Sequence, residues 1–166
     1  MKIITLGDEM LRQKAEKINN IDAELKTTIE KMLETLEIDK GLGLAGPQIG
    51  FMKRIFVTHI ENDEPRIFIN PSIIETSQDT VKAEEGCLSI PGIYADVIRS
   101  ESVKVQAWNE NGKPFNMEAS GLLARVIQHE YDHLDGILFL DRLSESKREK
   151  LIEKYDKRQL KEHNLK

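Results

Sequence analysis

Ser120-Gly121-Leu122-Leu123-Ala124-Arg125-Val126-Ile127-Gln128-His129-Glu130-Tyr131-Asp132-His133 is the stretch on which the reading of this chain turns. Ser120 suits a helix N-cap, because its hydroxyl accepts from an N–H group that the first turn leaves free. Leu122, Leu123, Val126 and Ile127 recur at helical spacing and form an apolar side, with Gly136 marking the expected end. The stretch closes on H-E-x-x-H. At ~100° per residue, His129 and His133 lie ~40° apart around the helix and ~6 Å apart along it, so both imidazoles reach one ion. Glu130 falls ~60° to one side of His133, beside the ion but outside its ligand set. A carboxylate there takes a proton from an attacking water and passes it to a leaving nitrogen. A pair of surface histidines would sit in a loop or on a solvated face, whereas this pattern extends an apolar helical side.

Two histidines rarely suffice, so a third ligand is needed. The longer form H-E-x-x-H-x-x-G-x-x-H is met at Gly136 but not at Phe139, which stands at the last histidine position. Glu153 is one remaining option, on a strongly charged helical stretch that also reads as a solvated face. The lone cysteine, Cys87 in Glu84-Glu85-Gly86-Cys87-Leu88-Ser89, is the other. It is either a small buried apolar residue or a thiolate on the metal.

Upstream, Asp22 caps a helix carrying Leu25, Ile29, Met32, Leu33 and Leu36 at helical spacing, and Lys40-Gly41 ends it. There follows a glycine-rich loop, Gly41-Leu42-Gly43-Leu44-Ala45-Gly46-Pro47-Gln48-Ile49-Gly50. Its G-x-G-x-x-G spacing is not a dinucleotide fingerprint, since it follows a helix and runs into Pro47. The loop is either a plain turn or a backbone that comes close to a substrate, with Gln48 presenting an N–H donor to a developing oxyanion. Residues 54–59, 66–70 and 102–108 read as strands, and Asn111-Gly112 as a hairpin turn. A last helix is expected from Ser144 onward, with Leu151, Ile152, Tyr155 and Leu160 on one side.

The order helix, strands, helices favours an α+β fold over alternating α/β units, and the 166 residues suit one domain. Net charge is −5, which gives no reason to expect wrapping by nucleic acid or specific DNA binding. Residues 145–166 carry eight Lys/Arg against five Asp/Glu, so the remainder sums to −8. No stretch is apolar enough to span a bilayer, and Ile3-Ile4-Thr5-Leu6 is too short for a secretory signal. One cysteine closes no intrachain disulfide, so the expected address is the cytosol.

Three segments in order resemble the signature motifs of the peptide deformylase family: residues 41–48, Glu85-Gly86-Cys87-Leu88-Ser89, and Gln128-His129-Glu130-Tyr131-Asp132-His133. Leu11-Arg12 and Ala15 are similar to the family's N-terminal stretch, so the likeness covers nearly the whole chain. The resemblance implies a single catalytic domain over residues 1–166, with antiparallel sheets around a central metal-binding helix and residues 144–166 as its terminal helix. The implied reaction removes the formyl group from the N-terminal formylmethionine of new bacterial or organellar polypeptides. The implied ligands are Cys87, His129 and His133, holding Fe(II), with Zn(II), Ni(II) or Co(II) as substitutes. By the same resemblance Glu130 is general base and acid, while Gln48 and the Leu88 N–H stabilise the oxyanion. Gly43 pairs with the substrate backbone, and Leu42, Leu122 and Val126 line the methionine pocket. The C-terminal helix then either contacts the ribosome transiently through its basic face or, with five acidic residues interleaved, is a solvated helix lying on the domain. Two positions depart from the family: Gly46, where an alanine is common, is expected to loosen the loop, and Tyr94 stands where many members carry an arginine. Arg125 is then either a candidate for the positive charge at the mouth or a stem packed on the core with its head in water.

Overall fold

The computed structural model describes residues 1–166. Helix α1 spans Ala23–Ile38, α2 Gly121–Leu134 and α3 Glu145–Asn164. Strands are β1 (Gly43–Ala45), β2 (Ile55–Thr58), β3 (Arg66–Thr76), β4 (Thr80–Cys87), β5 (Ile90–Ser100), β6 (Ser102–Trp108) and β7 (Pro114–Ser120). The antiparallel order β1-β2-β3-β6-β7 makes one sheet, and β4-β5 is a separate hairpin. The fold is therefore α+β, as the element order suggested.

Cap chemistry explains the helix limits. Asp22 accepts from Leu25 N at 2.8 Å at the start of α1. At its end Gly41 N donates to Leu36 O (3.1 Å) and Lys40 N to Glu37 O (3.3 Å), with Lys40 in the left-handed region at φ 54°. Helix α2 closes in the same way: Ile137 N donates to Asp132 O at 2.9 Å, and Gly136 takes φ 73°. Such a closing turn satisfies the last carbonyls and fixes the helix end that carries His133. Ser120 occupies the N-cap of α2 but makes no side-chain cap bond.

Helix α2 lies between the large sheet and the hairpin. Ala124, Ile127 and Leu134 pack on Phe56, Phe68, Val103 and Val105 of the sheet. Helix α1 covers β1 and β2, with Leu25, Ile29, Met32 and Leu36 against Leu44, Ile55 and Val57. Each such side chain, fully buried, stabilises by roughly 1.5–3 kcal/mol. The hairpin has its own cluster, Ile90, Ile93 and Val97 with Phe139 and Tyr155 of the C-terminal part.

The structure corrects several expectations of detail. The glycine-rich loop contains β1 and a 3₁₀ turn over Gly46–Ile49. The long strands β4 and β5 were not foreseen, because their solvent-facing positions carry a mixture of charged and apolar residues. The turn between β6 and β7 spans residues 109–113 rather than two residues, since Asn109 Oδ1 accepts from both Asn111 N (2.9 Å) and Lys113 N (3.0 Å). Leu122 and Leu160, assigned to apolar helix sides, are 49% and 62% exposed.

Candidate metal centre and cleft

Cys87 ends β4, beside a register shift between Gly86 and Cys87. A bulge of this kind re-aims a side chain, and here the thiol points at α2. Sγ lies 3.4 Å from His133 Nε2. Ligand atoms of Cys87, His129 and His133 all lie within 4.8 Å of one another. A tetrahedral centre with ordinary sulfur and imidazole bond lengths sets such ligands roughly 3.5 Å apart, so the donor set fits a single divalent ion. Glu153 is not part of this group. It sits on the exposed side of α3, paired with Lys157 at 2.9 Å, which removes it as third ligand.

His129 Nδ1 is 2.8 Å from Glu85 Oε1, which leaves Nε2 for the ion. Glu85 in turn accepts from Arg99 Nε (2.8 Å) and Nη2 (2.9 Å) and from Arg125 Nη1 (2.6 Å). Arg99 Nη1 continues to Asp132 Oδ2 at 2.7 Å, and Arg142 Nη2 meets Asp132 Oδ1 at 2.7 Å. Sequence reasoning had not assigned Glu85 or Arg99. Asp135, the C-cap residue of α2, pairs with Arg54 at 3.0 Å. Arg125 is not a mouth charge: its Nη2 donates to Val81 O (2.6 Å) and its Nη1 also to Val97 O (2.9 Å), which clamps the hairpin onto α2. Phe139, at the position the longer motif would give to histidine, stacks on His129 with ring centroids 6.0 Å apart.

The protein's own groups set opposite tendencies on the two imidazoles. Burial works to neutralise His129, but the hydrogen bonds it donates to Cys87 and Glu85 outweigh it and push it up to about 10. Burial, then the positive charge of His129, holds His133 well below its ordinary value. Burial would raise Glu85, yet bonds from Arg99 and His129 outweigh it and keep its carboxyl well below the usual range. Glu130 has no such partners. Its Oε2 is buried without a hydrogen bond, and burial raises it to about 7.

These residues close a cleft of about 360 Å³ whose lining includes Leu42, Gly43, Gln48, Leu88, Leu122, Val126 and Glu130. Gln48 is fixed at both ends. Its Oε1 accepts from Ala45 N (2.9 Å), so its amide NH₂ faces Ser89 Oγ (3.1 Å) and Cys87 Sγ (3.6 Å). Leu88 occupies the two-residue turn of the β4–β5 hairpin, and the backbone bonds outside helices and strands include none donated by its N–H. A β-carbon on Gly43 would sit 2.7 Å from Glu130 Oε1, so only glycine admits the carboxylate here. Leu42 O accepts from His59 N at 2.9 Å on the β2 side. Alternation along an antiparallel strand then turns the Gly43 N–H and C=O to the free edge of β1, the same edge from which Ala45 N meets Gln48. Gly46 does not loosen its segment: a β-carbon there would meet Phe51 O at 2.5 Å and Lys53 O at 2.7 Å.

The chain is similar to known proteins over most of its length. The family model for polypeptide deformylase matches residues 1–149. The peptide deformylase of Chromobacterium violaceum is 47% identical over 161 residues, covering 96% of each chain, and that of Borreliella burgdorferi is 45% identical over 157 residues, covering 93% of this chain and 94% of the relative. The crystal structure of a peptide deformylase from Legionella pneumophila superimposes with TM-score 0.92 at 41% identity, over 98% of this chain and 96% of that one. A Synechococcus elongatus peptide deformylase in complex with actinonin gives 0.89 at 45% identity, over 93% and 86%. Family match, whole-length relatives and common fold agree, and the chain belongs to the polypeptide deformylase family.

Proposed function

We propose that Cys87, His129 and His133 hold one divalent ion, Fe(II) in the cell, and that residues 1–166 work as one catalytic domain around it. The family's reaction is metal-dependent removal of the N-formyl group from nascent peptides, and it is the reaction of this chain. The observation that carries the ligand assignment is the meeting of a thiol from β4 with two imidazoles from α2 within 4.8 Å. A divalent ion held there supplies water with a pKa near neutrality and a Lewis acid for the formyl oxygen.

The chain's own groups then have separate tasks. Glu130, unpartnered and raised by burial, takes the proton that the attacking water gives up and delivers it to the departing amine nitrogen. As the C–N bond breaks, formate and a free amino terminus result. Gln48 Nε2 and the Leu88 N–H donate to the oxygen on which charge develops. The outward N–H and C=O of Gly43 pair with the substrate backbone as an added strand, a mode that reads main chain rather than side chain. Leu42, Leu122 and Val126 receive the methionine side chain. The formyl group carries only hydrogen beyond its carbonyl, so a narrow cleft end admits it and rejects bulkier acyl groups.

No helix of the chain is long and apolar enough to cross a membrane. The reading places the enzyme in the bacterial cytoplasm, with the lysine-rich face of α3 touching the ribosome transiently. Formate release from formyl-Met peptides by anaerobically purified protein, with metal content measured on the same sample, tests the assignment. One ion per chain and turnover that follows metal content are expected. Full turnover by protein lacking bound metal would overturn it.

A further inference from the structure

The buried end of the cleft holds Cys87, His129 and Glu130, whereas Leu42, Tyr94 and Leu122 at its open end are 44%, 62% and 49% exposed. A substrate whose formylated end sits at the metal therefore passes its later residues out through that mouth. Gly92 lies on the same rim, in the left-handed region at φ 79°. It is not bare. A β-carbon at Gly92 would coincide with the guanidinium of Arg158 from α3, so the missing side chain is what admits the arginine head to the rim.

Arg158 holds little of its hydrogen-bonding capacity within the protein. Its Nε meets Glu162 Oε1 at 3.4 Å, while Nη1 and Nη2 donate to no protein acceptor, and its side chain is 49% exposed. The lining also includes Lys40, and its exposed acid is Glu84. Tyr94, packed over Gly86, supplies no charge. Arg158 is thus a planar cation with free donors at the point where the substrate leaves.

We propose that Arg158 is a specificity residue of the exit rim, favouring substrates with a carboxylate side chain at the third or fourth position. This rests on the deformylase reading above. An exposed pair is worth little, so the preference for Glu over Lys at that position is about two- to fivefold in kcat/KM at low ionic strength. Added salt weakens it.

The test uses metal-loaded full-length enzyme and C-terminally amidated formyl-Met-Ala-X-Ser and formyl-Met-Ala-Ser-X peptides, with X as Glu or Lys. The readout is the Glu/Lys ratio of kcat/KM within each variant, which does not depend on metal loading. Arg158→Gln brings the ratio toward one and Arg158→Glu inverts it. An unchanged ratio in both variants, or a preference abolished by Lys40→Gln but kept in Arg158→Gln, overturns the proposal. Absence of formate release from every peptide by the unaltered enzyme would instead overturn the deformylase reading itself.

Discussion

Glu85 Oε1 receives His129 Nδ1 at 2.8 Å while its Oε2 receives Arg99 Nε at 2.8 Å, so one buried carboxylate orients a metal-binding imidazole and is itself anchored by an arginine. Partners of this kind typically contribute 10–100-fold to metal affinity. Glu85→Gln is expected to weaken metal binding by about that factor, read by competition with a chelator. Unchanged affinity would mean that His129 is oriented by packing on Phe139 alone.

The same carboxylate predicts a pH dependence of stability. Its folded-state value lies below the ordinary 4.5, so its contribution is complete above that value and is lost as pH falls through it toward the folded one. In metal-stripped protein, Glu85→Gln leaves buried Arg99 and Arg125 short of a charge partner, at a cost of about 3–5 kcal/mol near pH 7. Urea unfolding at stepped pH should show the gap between variant and parent closing from pH 5 toward pH 3. A gap that stays constant would show that the ionised carboxylate is not the source.

Ligand and proton carrier separate by substitution. Cys87→Ser is expected to lose both ion and activity. Glu130→Gln, whose side chain is outside the ligand group, should keep the ion and lose about 10²–10⁴ in kcat. Glu153→Gln, at an exposed pair on α3, should change neither. Metal analysis beside formate release distinguishes the three, and retention of metal in Cys87→Ser would refute the ligand set.

Gln48→Ala removes an N–H donor facing the reacting end and leaves Ala45 N without its acceptor. The expected effects are a loss of about 10²–10³ in kcat with metal content kept, and a stability cost of about 1–3 kcal/mol. A change confined to KM would place Gln48 in substrate binding alone.

Gly46→Ala tests the departure from the family at that position. The added methyl would press on the carbonyl oxygens of Phe51 and Lys53, both backbone, which cannot swing aside. Destabilisation by about 1–3 kcal/mol is expected by thermal unfolding. A neutral outcome would show that residues 51–53 shift at no cost.

Much of this was legible in the linear chain, for reasons of period and chemistry. Helical geometry alone brings His129 and His133 to one face, and Asp22, Lys40-Gly41 and Gly136 mark helix ends by local hydrogen bonding. The choice between Cys87 and Glu153 as third ligand was not local. Residue spacing left it open, a family resemblance favoured the thiol, and the fold brings Sγ to 3.4 Å from His133 Nε2. Arg125 shows the limit most clearly: its charge was visible, but its partners on β4 and β5 were not.

The sequence by itself determined the helices, the Asp22 cap, the two-imidazole face and the adjoining carboxylate, because each depends on residues within a few turns of one another. Only the tertiary structure decided that Glu85 braces His129, that Gln48 turns its NH₂ inward, and that Arg158 rests on Gly92. Those contacts join residues about 40 to 66 positions apart, which come together when α2 is buried between sheet and hairpin and α3 folds back on β5. Burial there also raises Glu130, while bonds from Arg99 and His129 keep Glu85 ionised against burial, an outcome set by neighbours that no local pattern encodes.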